Sequence, residues 1–419
     1  MDKFILKGGK TLRGEVNISS AKNSVLPILA ATILSGGQCT LKNAPMLEDV
    51  YVLCDVLRSL YADVDIDSKS NIVTINTSRL NDSNVDHELV RKMRASFLIM
   101  GAMIGRFGRF KISLPGGCNI GSRPIDLHLK GLSALGADIT MGHGYVEATA
   151  RKLIGKKIYL DFPSVGATEN IMMAAVLAEG ETIIENAAEE PEIVDLATFL
   201  RKMGADIQGE GTDTIIIKGV DALDGVSHTP IFDRIEAGTF MIAAAITKSR
   251  IKINNIDEEC LKPVIAKLKE MGVAIECDSN SLIVDGNSIL KPIDIKTMPY
   301  PGFPTDMQSQ MMSLLSTVKG TSLITETIFE NRFMQVGELI RMGANIKIDG
   351  RCAVVEGVDL LTGAEIKATD LRAGAALVLA GLCARGETTV SDIFHIDRGY
   401  VSIEKKLREL GADIERIRV

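Results

Sequence analysis

One order of apolar and polar positions recurs along the chain. Small apolar residues fill 168–179 and 370–380, and a run that is apolar on nearly every side predicts a buried helix. A glycine and a short β-branched stretch follow, as at Glu181–Ile184, which predicts a strand. Apolar residues three and four apart between Ile193 and Met203 then predict an amphipathic helix. The pattern as a whole indicates a βαβ-like unit.

A short phrase at the end of each amphipathic helix reveals an internal repeat. Its glycine, or the tyrosine of one degenerate copy, stands at Tyr61, Gly136, Gly204, Gly272, Gly343 and Gly411. The intervals are 75, 68, 68, 71 and 68 residues, so the chain holds six copies of one unit of about seventy residues. Glycine accepts the left-handed conformation that ends a helix, and two short strands are expected after it, as at Ile215–Ile217.

Units of this size cannot bury both faces alone, which favours two pseudo-symmetric domains of three units each. The apolar first helices are expected at each domain centre with sheets packed around them. We predict a first domain at 21–229 and a second that joins 1–20 to 230–419. The leading strand, within Met1–Val16, would complete the second domain, and the polar stretch 220–230 is the best linker candidate. Two chain crossings would leave a cleft between the domains, where sites are often found.

Composition and charge narrow the class of protein. The 419 residues are 46% hydrophobic and 24% charged, as in a globular protein, and 47 basic against 54 acidic residues give a net charge of −7. No overall positive field therefore draws the chain to nucleic acid or to an anionic membrane, and aromatics at 4% supply few platforms for stacked bases. The apolar runs fall short of the ~20 residues that span a bilayer, and the start lacks a signal peptide.

Cysteine and histidine usage argues against several kinds of site. The seven cysteines are scattered with no CxxC pair, so we expect reduced thiols and a cytoplasmic protein, with no disulfide framework. The histidines have no metal-ligand spacing, and no metal is assigned. No GxGxxG follows a strand, and neither a Walker A motif nor GxSxG occurs, so no cofactor is expected.

Polar residues recur at two offsets in the repeat. The starts of the first helices hold Lys22, Arg94, Thr168, Arg234, Asp306 and Arg372. Eleven to thirteen residues before each repeat glycine or tyrosine lie Asp49, Arg123, Glu192, Glu259, Arg332 and Arg398. Seven of these side chains are cationic, and arginine offers bidentate geometry to carboxylate and phosphate. The pattern predicts a polyanion site at equivalent ends of the units. The alternative is a set of solvated surface charges.

One cysteine stands in a segment suited to a lid. Cys118 lies in PGGCNIGSRP at 115–124, where three glycines allow movement and prolines limit the ends. A lid thiol close to several arginines could act as a nucleophile or as a proton donor. An exposed, inert cysteine is the alternative.

A proline-rich approach, PYPGFPTD at 299–306, delivers Asp306 to the start of a helix. As a helix N-cap, Asp306 needs no further function. A carboxylate that faces a group of cations could instead take a proton from a hydroxyl substrate.

Seven short motifs together resemble one known family. They are Lys22-Asn23, PGGCNIGSRP at 115–124, DFPSVGAT at 161–168, FPTD at 303–306, ENRF at 330–333, LRAG at 371–374 and DRG at 397–399. The whole chain is similar to the UDP-N-acetylglucosamine enolpyruvyl transferases, and the lid cysteine is the most specific element of the likeness. The resemblance implies an α/β (α+β) fold, a two-domain inside-out α/β barrel with three repeats per domain that closes around its substrates.

The resemblance also implies an activity and roles for residues. The enolpyruvyl group of phosphoenolpyruvate would pass to the 3-hydroxyl of UDP-N-acetylglucosamine with release of phosphate, the committed step toward peptidoglycan. Cys118 would protonate the methylene carbon and can form a covalent adduct, and Asp306 would take the hydroxyl proton. The phosphoenolpyruvate anion would contact Lys22, Arg123 and Arg398, with Arg332 and Arg372 nearby. The nucleotide sugar would contact Asn23, Arg94, Pro124, Ile125, Asp126, Leu127, Ser164, Val165, Gly166 and Ile328.

Two other functions stay open at this point. The related 5-enolpyruvylshikimate-3-phosphate synthases share the repeats and the cations, but they lack this cysteine lid. A catalytically silent scaffold or nucleotide-sugar sensor would bind ligands without phosphate release, although Lys22, Cys118 and Asp306 are all present. The oligomeric state does not follow from the sequence.

Overall fold

The computed structural model describes residues 2–80, 97–113, 125–142 and 144–418. They fall into two compact units. The terminal unit comprises the described residues of Met1–Ser19 and Phe232–Val419, and the central unit comprises those of Ser20–Gly117 and Arg123–Ile231.

Each copy of the repeat in the central unit contributes two helices. They are α1 (Lys22–Ala31), α2 (Glu48–Ser59), α3 (Ile99–Phe107), α4 (Asp126–Ala134), α5 (Val165–Ala175) and α6 (Pro191–Met203). Its strands are β3 (Gln38–Leu41), β4 (Asp63–Asp67), β5 (Ile72–Asn76), β6 (Arg109–Ser113), β7 (Asp138–Gly142), β8 (Tyr145–Thr149), β9 (Lys157–Tyr159), β10 (Glu181–Glu185), β11 (Asp206–Gln208), β12 (Thr214–Lys218) and β13 (Ser227–His228).

The terminal unit is built in the same way. Its helices are α7 (Arg234–Ile246), α8 (Lys262–Met271), α9 (Gln308–Leu315), α10 (Val336–Arg341), α11 (Leu371–Cys383), α12 (Phe394–Asp397) and α13 (Ile403–Glu409). Its strands are β1 (Lys3–Lys7), β2 (Arg13–Asn17), β14 (Arg250–Asn254), β15 (Ala274–Asp278), β16 (Ser281–Asp285), β17 (Ile295–Lys296), β18 (Thr321–Thr325), β19 (Asn345–Asp349), β20 (Cys352–Glu356), β21 (Glu365–Lys367), β22 (Glu387–Ser391) and β23 (Asp413–Ile417).

The third copy shows the topology of the unit. Its strands lie in the order β11-β12-β10-β9, and β9 runs parallel to β10 because α5 crosses between them. The other two pairings are antiparallel, with Ile183 opposite Ile216 and Ile207 opposite Ile217. Four further sheets repeat this order, and the described residues of the second copy form the three strands β6-β8-β7.

Two sheets of the terminal unit are completed by the beginning of the chain. The leading segment forms two strands rather than the single strand predicted from the sequence. Strand β1 lies between β22 and β23 of the sixth sheet, and β2 runs parallel to β14 at the edge of the fourth. The polar stretch 220–230, predicted as a linker, belongs to the central unit, and its β13 pairs with β3 of the first sheet.

The first helix of each copy is buried, as the apolar pattern predicts. In α5 every residue from Ala167 to Ala175 is buried, and in α7 every residue from Ile235 to Ile246. Within the terminal unit α7, α9 and α11 all contact one another, and within the central unit α3 contacts both α1 and α5. Small residues permit the close approach, since a Cβ added at Gly101 of α3 would lie 2.1 Å from the carbonyl oxygen of Asn170 in α5.

The repeated glycine ends its helix in the left-handed conformation. Gly204 has φ +113°, its N–H donates to the Arg201 carbonyl at 3.0 Å, and the Ala205 N–H donates to the Leu200 carbonyl at 3.0 Å. The degenerate copy keeps this geometry without glycine. Tyr61 has φ +67° and is 64% exposed. A side chain at this position is strained because its Cβ crowds the backbone.

We predict that Tyr61→Gly stabilises the protein by roughly 1 kcal/mol, because the strain disappears and the exposed ring makes little packing contribution. The matched control is Gly204→Ala, which introduces the same strain where nothing lies within 4 Å of the added Cβ. It should destabilise by a similar amount. Thermal unfolding of the three proteins measures both effects, and a lower melting temperature for Tyr61→Gly would contradict the assignment.

Candidate functional site

A carboxylate shared by two guanidinium groups forms the centre of the site in the terminal unit. Asp306 stands in the 3-10 turn Thr305–Met307, which follows the proline-rich approach and leads into α9. Arg332 donates from Nη2 to Oδ1 of Asp306 at 2.7 Å, and Arg372 donates from Nη2 to Oδ2 at 2.8 Å. These pairs are charge-assisted hydrogen bonds, the stronger kind in proteins.

Both arginines are buried and carry spare donors. Their side chains are 2% and 5% exposed, whereas the side chain of Asp306 is 27% exposed. Among the described residues, Nε of Arg332 and Nη1 of Arg372 have no hydrogen-bond partner. Buried N–H groups are costly when unpaired, so an anion that supplies oxygens here would be stabilised.

Aromatic rings and a buried polar network hold the two guanidinium groups. Arg332 lies over the ring of Phe329 at 5.3 Å and Arg372 over the ring of Tyr400 at 5.6 Å. The hydroxyl of Tyr400 lies 2.9 Å from Oγ1 of Thr239 and accepts from Nε2 of Gln310 at 3.2 Å. Sequence reasoning missed Tyr400, whose position two residues after Arg398 was the one available signal.

Burial and charge act in opposite directions on these groups. Burial lowers the pKa of Arg372, but the carboxylate of Asp306 more than offsets this and the pKa lies above its usual value. Burial raises the pKa of Tyr400, and the neighbouring Arg372 acts against that shift. The guanidinium is therefore charged and the phenol neutral at physiological pH.

Arg398 and Ile328 lie on two further segments of the terminal unit. Arg398 follows α12, where the preceding Asp397 accepts two hydrogen bonds from Arg416 at 3.0 and 2.5 Å. Burial and the charge of Arg398 together lower the pKa of His395. The backbone N–H of Ile328 donates to the buried carboxylate of Glu326 at 2.8 Å.

Lys22 begins α1 in the central unit and forms an ion pair with Asp49 in the first turn of α2. Nζ lies 3.1 Å from Oδ2, and the two side chains are 12% and 6% exposed. The same two offsets of the repeat meet in the fifth copy, as Asp306 and Arg332, with the charges exchanged. Equivalent positions therefore come together in both units, which follows from the repeated topology.

The second group of predicted residues in the central unit lies at two helix N-termini. Ile125, Asp126 and Leu127 begin α4, and Ser164, Val165 and Gly166 begin α5. Oγ of Ser164 caps its helix by accepting from the Ala167 N–H at 3.4 Å. His128 joins the two helices, because Nδ1 lies 2.9 Å from Nδ2 of Asn170. Helix N-termini supply N–H donors and a positive dipole end to an anion.

The structure thus brings together two of the predicted groups and leaves others separate. Asp306, Arg332 and Arg372 meet, as do the starts of α4 and α5, while Asn23 lies exposed beside Lys22 on α1. Four predicted residues lie outside the described residues: Arg94, Cys118, Arg123 and Pro124. No group of three or more potential ligand side chains in the described ranges could hold a metal. Among the described helices, none has the length and hydropathy of a membrane span.

A buried carboxyl group in the central unit escaped sequence reasoning. Glu169 on α5 is 3% exposed, and burial, reinforced by the charges of Glu192 and Glu190, raises its pKa well above the ordinary value. A glutamate inside the apolar run at 168–179 was the available signal.

Comparison with known proteins defines the class. The family model described as EPSP synthase (3-phosphoshikimate 1-carboxyvinyltransferase) matches residues 6–407. The enolpyruvyl transferase NikO from Streptomyces tendae superposes with a TM-score of 0.91 at 26% identity, covering 100% of this chain and 99% of its own. EPSP synthase from Acinetobacter baumannii superposes with a TM-score of 0.79 at 21% identity, covering both chains fully. The fold and the sequence match together define an enolpyruvyl transferase, and the predicted fold class is confirmed.

Full-length relatives narrow the class further. A protein of Clostridium tetani, UDP-N-acetylglucosamine 1-carboxyvinyltransferase 2, is 69% identical over 417 residues. UDP-N-acetylglucosamine 1-carboxyvinyltransferase 1 of Clostridium acetobutylicum is 70% identical over 417 residues. Each alignment covers 100% of both chains. The chain therefore belongs to the UDP-N-acetylglucosamine 1-carboxyvinyltransferase family, which confirms the resemblance drawn from its motifs.

We predict that Glu169→Gln stabilises the protein at pH 8 by about 1 kcal/mol or more. The pKa of Glu169 is higher in the folded protein than in the unfolded chain, where it is about 4.3. The folded protein therefore loses stability as the pH rises above that unfolded value. The advantage of the variant should therefore vanish near pH 4.

The matched control is Glu404→Gln, a second buried glutamate, which accepts from Nε of Arg416 at 3.2 Å. Loss of this charge should destabilise the protein at pH 8, because Arg416 loses part of its ion pair. Urea unfolding at both pH values measures the two effects. Equal stability of wild type and Glu169→Gln at pH 8 would contradict the conclusion that burial raises the pKa of Glu169.

Proposed function

We propose that this protein transfers the enolpyruvyl group of phosphoenolpyruvate to the 3-hydroxyl of UDP-N-acetylglucosamine and releases phosphate. It is a transferase of the pathway to peptidoglycan. The observation that carries the proposal from the geometry is the carboxylate of Asp306 between the buried guanidinium groups of Arg332 and Arg372. That arrangement supplies a proton acceptor beside fixed positive charge.

Fixed cations offset the repulsion between the two anionic substrates of this reaction. Phosphoenolpyruvate carries a carboxylate and a phosphate, and the nucleotide sugar adds a diphosphate, so the substrates repel each other. Lys22, Arg123 and Arg398 hold the phosphoenolpyruvate anion, with Arg332 and Arg372 nearby. Nε of Arg332 and Nη1 of Arg372, which have no partner among the residues that the structure describes, support this role, because an anion oxygen would satisfy each donor.

The chemistry proceeds by addition and elimination. The sugar 3-oxygen forms a bond to C2 of phosphoenolpyruvate while Asp306 takes the hydroxyl proton and Cys118 gives its thiol proton to C3. In the second stage the thiolate of Cys118 takes a proton back from C3, and the bond between C2 and the phosphate oxygen breaks. The phosphate leaves with the bonding electrons, and the double bond returns between C2 and C3. The two guanidinium groups fix the position of the Asp306 carboxylate, which takes the hydroxyl proton.

The nucleotide sugar contacts the central unit in this proposal. Arg94, Ser164, Val165 and Gly166 serve the diphosphate, and Asn23 contacts the sugar. The start of α5 supports the diphosphate contact, because helix N-termini favour anions. The nucleotide and sugar also contact Pro124, Ile125, Asp126 and Leu127 of this unit and, by the same family likeness, Ile328. The substrates are small cytoplasmic metabolites, so we place the enzyme in the cytoplasm, with no cofactor, metal, nucleic acid or membrane in the reaction.

Phosphate release separates this function from its alternatives. Wild-type protein with phosphoenolpyruvate should release phosphate with UDP-N-acetylglucosamine and not with shikimate-3-phosphate or without acceptor. Asp306→Asn should lower the rate by about 10²–10⁴-fold, because the proton acceptor is lost. Asp349→Asn, an exposed carboxylate of the same unit, is the matched control and should leave the rate unchanged.

Two other outcomes would each assign a different function to this protein. Release with shikimate-3-phosphate would assign the activity of the sister family. Binding of UDP-N-acetylglucosamine without release in any mixture would indicate a silent sensor.

The role of Cys118 has its own test. Cys118→Asp should keep turnover within about 100-fold of wild type, because a carboxylic acid can donate the proton. It should lose sensitivity to the thiol-reactive epoxide fosfomycin, because the carboxylate cannot form the thiol adduct. Cys277→Asp, at an exposed cysteine, should change neither property. Unchanged fosfomycin sensitivity in Cys118→Asp would refute the assignment.

A further inference from the structure

The helix that carries Lys22 and Asn23 begins without a side-chain cap. Its N-cap residue is Ala21, whose side chain cannot accept a hydrogen bond from the first N–H groups of the helix. The first turn also holds no acidic residue. Pro27 lies inside the helix and supplies no N–H to the carbonyl of Asn23 four residues earlier. The first turn of α1 therefore has weak internal support, and contacts from outside the helix must fix it.

A buried carboxylate from another helix supplies one such contact. Asp195 on α6 is 4% exposed, and its Oδ2 accepts from the hydroxyl of Ser24, in the first turn of α1, and from the Ile231 N–H at 3.0 Å. The Ala21 N–H in turn donates to the Ile231 carbonyl at 2.8 Å. Asp195 thus ties the start of α1 to the segment that ends the central unit.

The second oxygen of Asp195 is fixed by a histidine. Nε2 of His228, on β13, lies 2.8 Å from Oδ1, and Nζ of Lys202 lies 3.0 Å from Nδ1 of the same ring. An ammonium group only donates, so Nδ1 accepts and Nε2 donates to Asp195. Phe199 packs edge-on against the imidazole at 5.6 Å. The two oxygens of Asp195 thus accept from three donors: Nε2 of His228, the Ile231 N–H and the Ser24 hydroxyl.

We propose that Asp195 is a positioning residue for the proposed enolpyruvyl transfer, and that it acts through Ser24 on the placement of Lys22 and Asn23. The inference rests on the proposed function, in which Lys22 holds the phosphoenolpyruvate anion. The carboxylate touches no substrate in this role. Asp195 instead fixes the start of α1, and this places the ammonium group of Lys22 where it can contact the phosphoenolpyruvate anion.

The test compares steady-state kinetics of Asp195→Asn and Ser24→Ala with wild type. Asp195→Asn should lower kcat/KM for phosphoenolpyruvate by about ten- to a hundredfold, mainly through KM, because a displaced cation binds the anion less well. Ser24→Ala should show part of this loss. The double variant should be no worse than Asp195→Asn, because Ser24 acts through the carboxylate.

A destabilised core variant provides the matched control. Ile217→Ala truncates a fully buried side chain on β12 of the same repeat. It should lower the melting temperature and the amount of active enzyme but leave KM unchanged. Hydrogen exchange of 22–31 should be faster in Asp195→Asn than in Ile217→Ala. If Asp195→Asn does not fold, Ser24→Ala carries the same measurements.

The outcomes distinguish the two proposals. An active wild type with unchanged KM in Asp195→Asn and Ser24→Ala would overturn the positioning role alone. Additive losses in the double variant would do the same, because Ser24 would then act independently of Asp195. If the wild type releases no phosphate with UDP-N-acetylglucosamine, the proposed function is overturned. The role of Asp195 in that function is then overturned as well.

Discussion

An apolar helix with no polar face is stable only where other elements cover it on every side, and this constraint governs the whole molecule. Each repeat of about seventy residues contributes one such helix and cannot bury it alone. Three repeats therefore share their first helices, as α7, α9 and α11 do, and the sheets of the unit cover them. The polar residues at the starts of these helices are then held at equivalent places by the same topology.

The positions of these polar residues at the buried helix starts make charge pairing the main interaction of the site. Arg332 and Arg372 are almost fully buried, and a buried charge is tolerated only when it is paired. One carboxylate, Asp306, partners both guanidinium groups, and Nε of Arg332 and Nη1 of Arg372 have no partner within the described part of the chain. The cost of burying the charges is thus offset within the protein, and the spare donors favour an anionic ligand. In the central unit Asp49 offsets the charge of Lys22 in the same manner.

The sequence allowed the repeats, the glycine caps and the buried helices to be predicted, because each depends on local pattern or on spacing within one repeat. It also placed Asp306 and Arg332 at two recurring offsets, but it did not predict that they pair. It did not reveal β13, whose two residues carry no periodic signal. Nor did it reveal Tyr400 beneath Arg372 or the bond from Ser24 to Asp195, which spans 171 positions in the chain. Contacts of this kind depend on the folded topology and have no local signature. The roles proposed for the site residues come from the family likeness, and Cys118 and Arg123 lie outside the described residues.

Strand β1 has a consequence for the order of events during synthesis. It leaves the ribosome before the central unit, yet its neighbours β22 and β23 leave after that unit. The central unit, whose strands all come from 20–231, can form while translation continues. In the terminal unit β1 has no partner strand until β22 has been made, and its second edge stays open until β23 follows. The lysines at both ends of β1, Lys3 and Lys7, are the kind of charge that discourages such a strand from pairing with another chain.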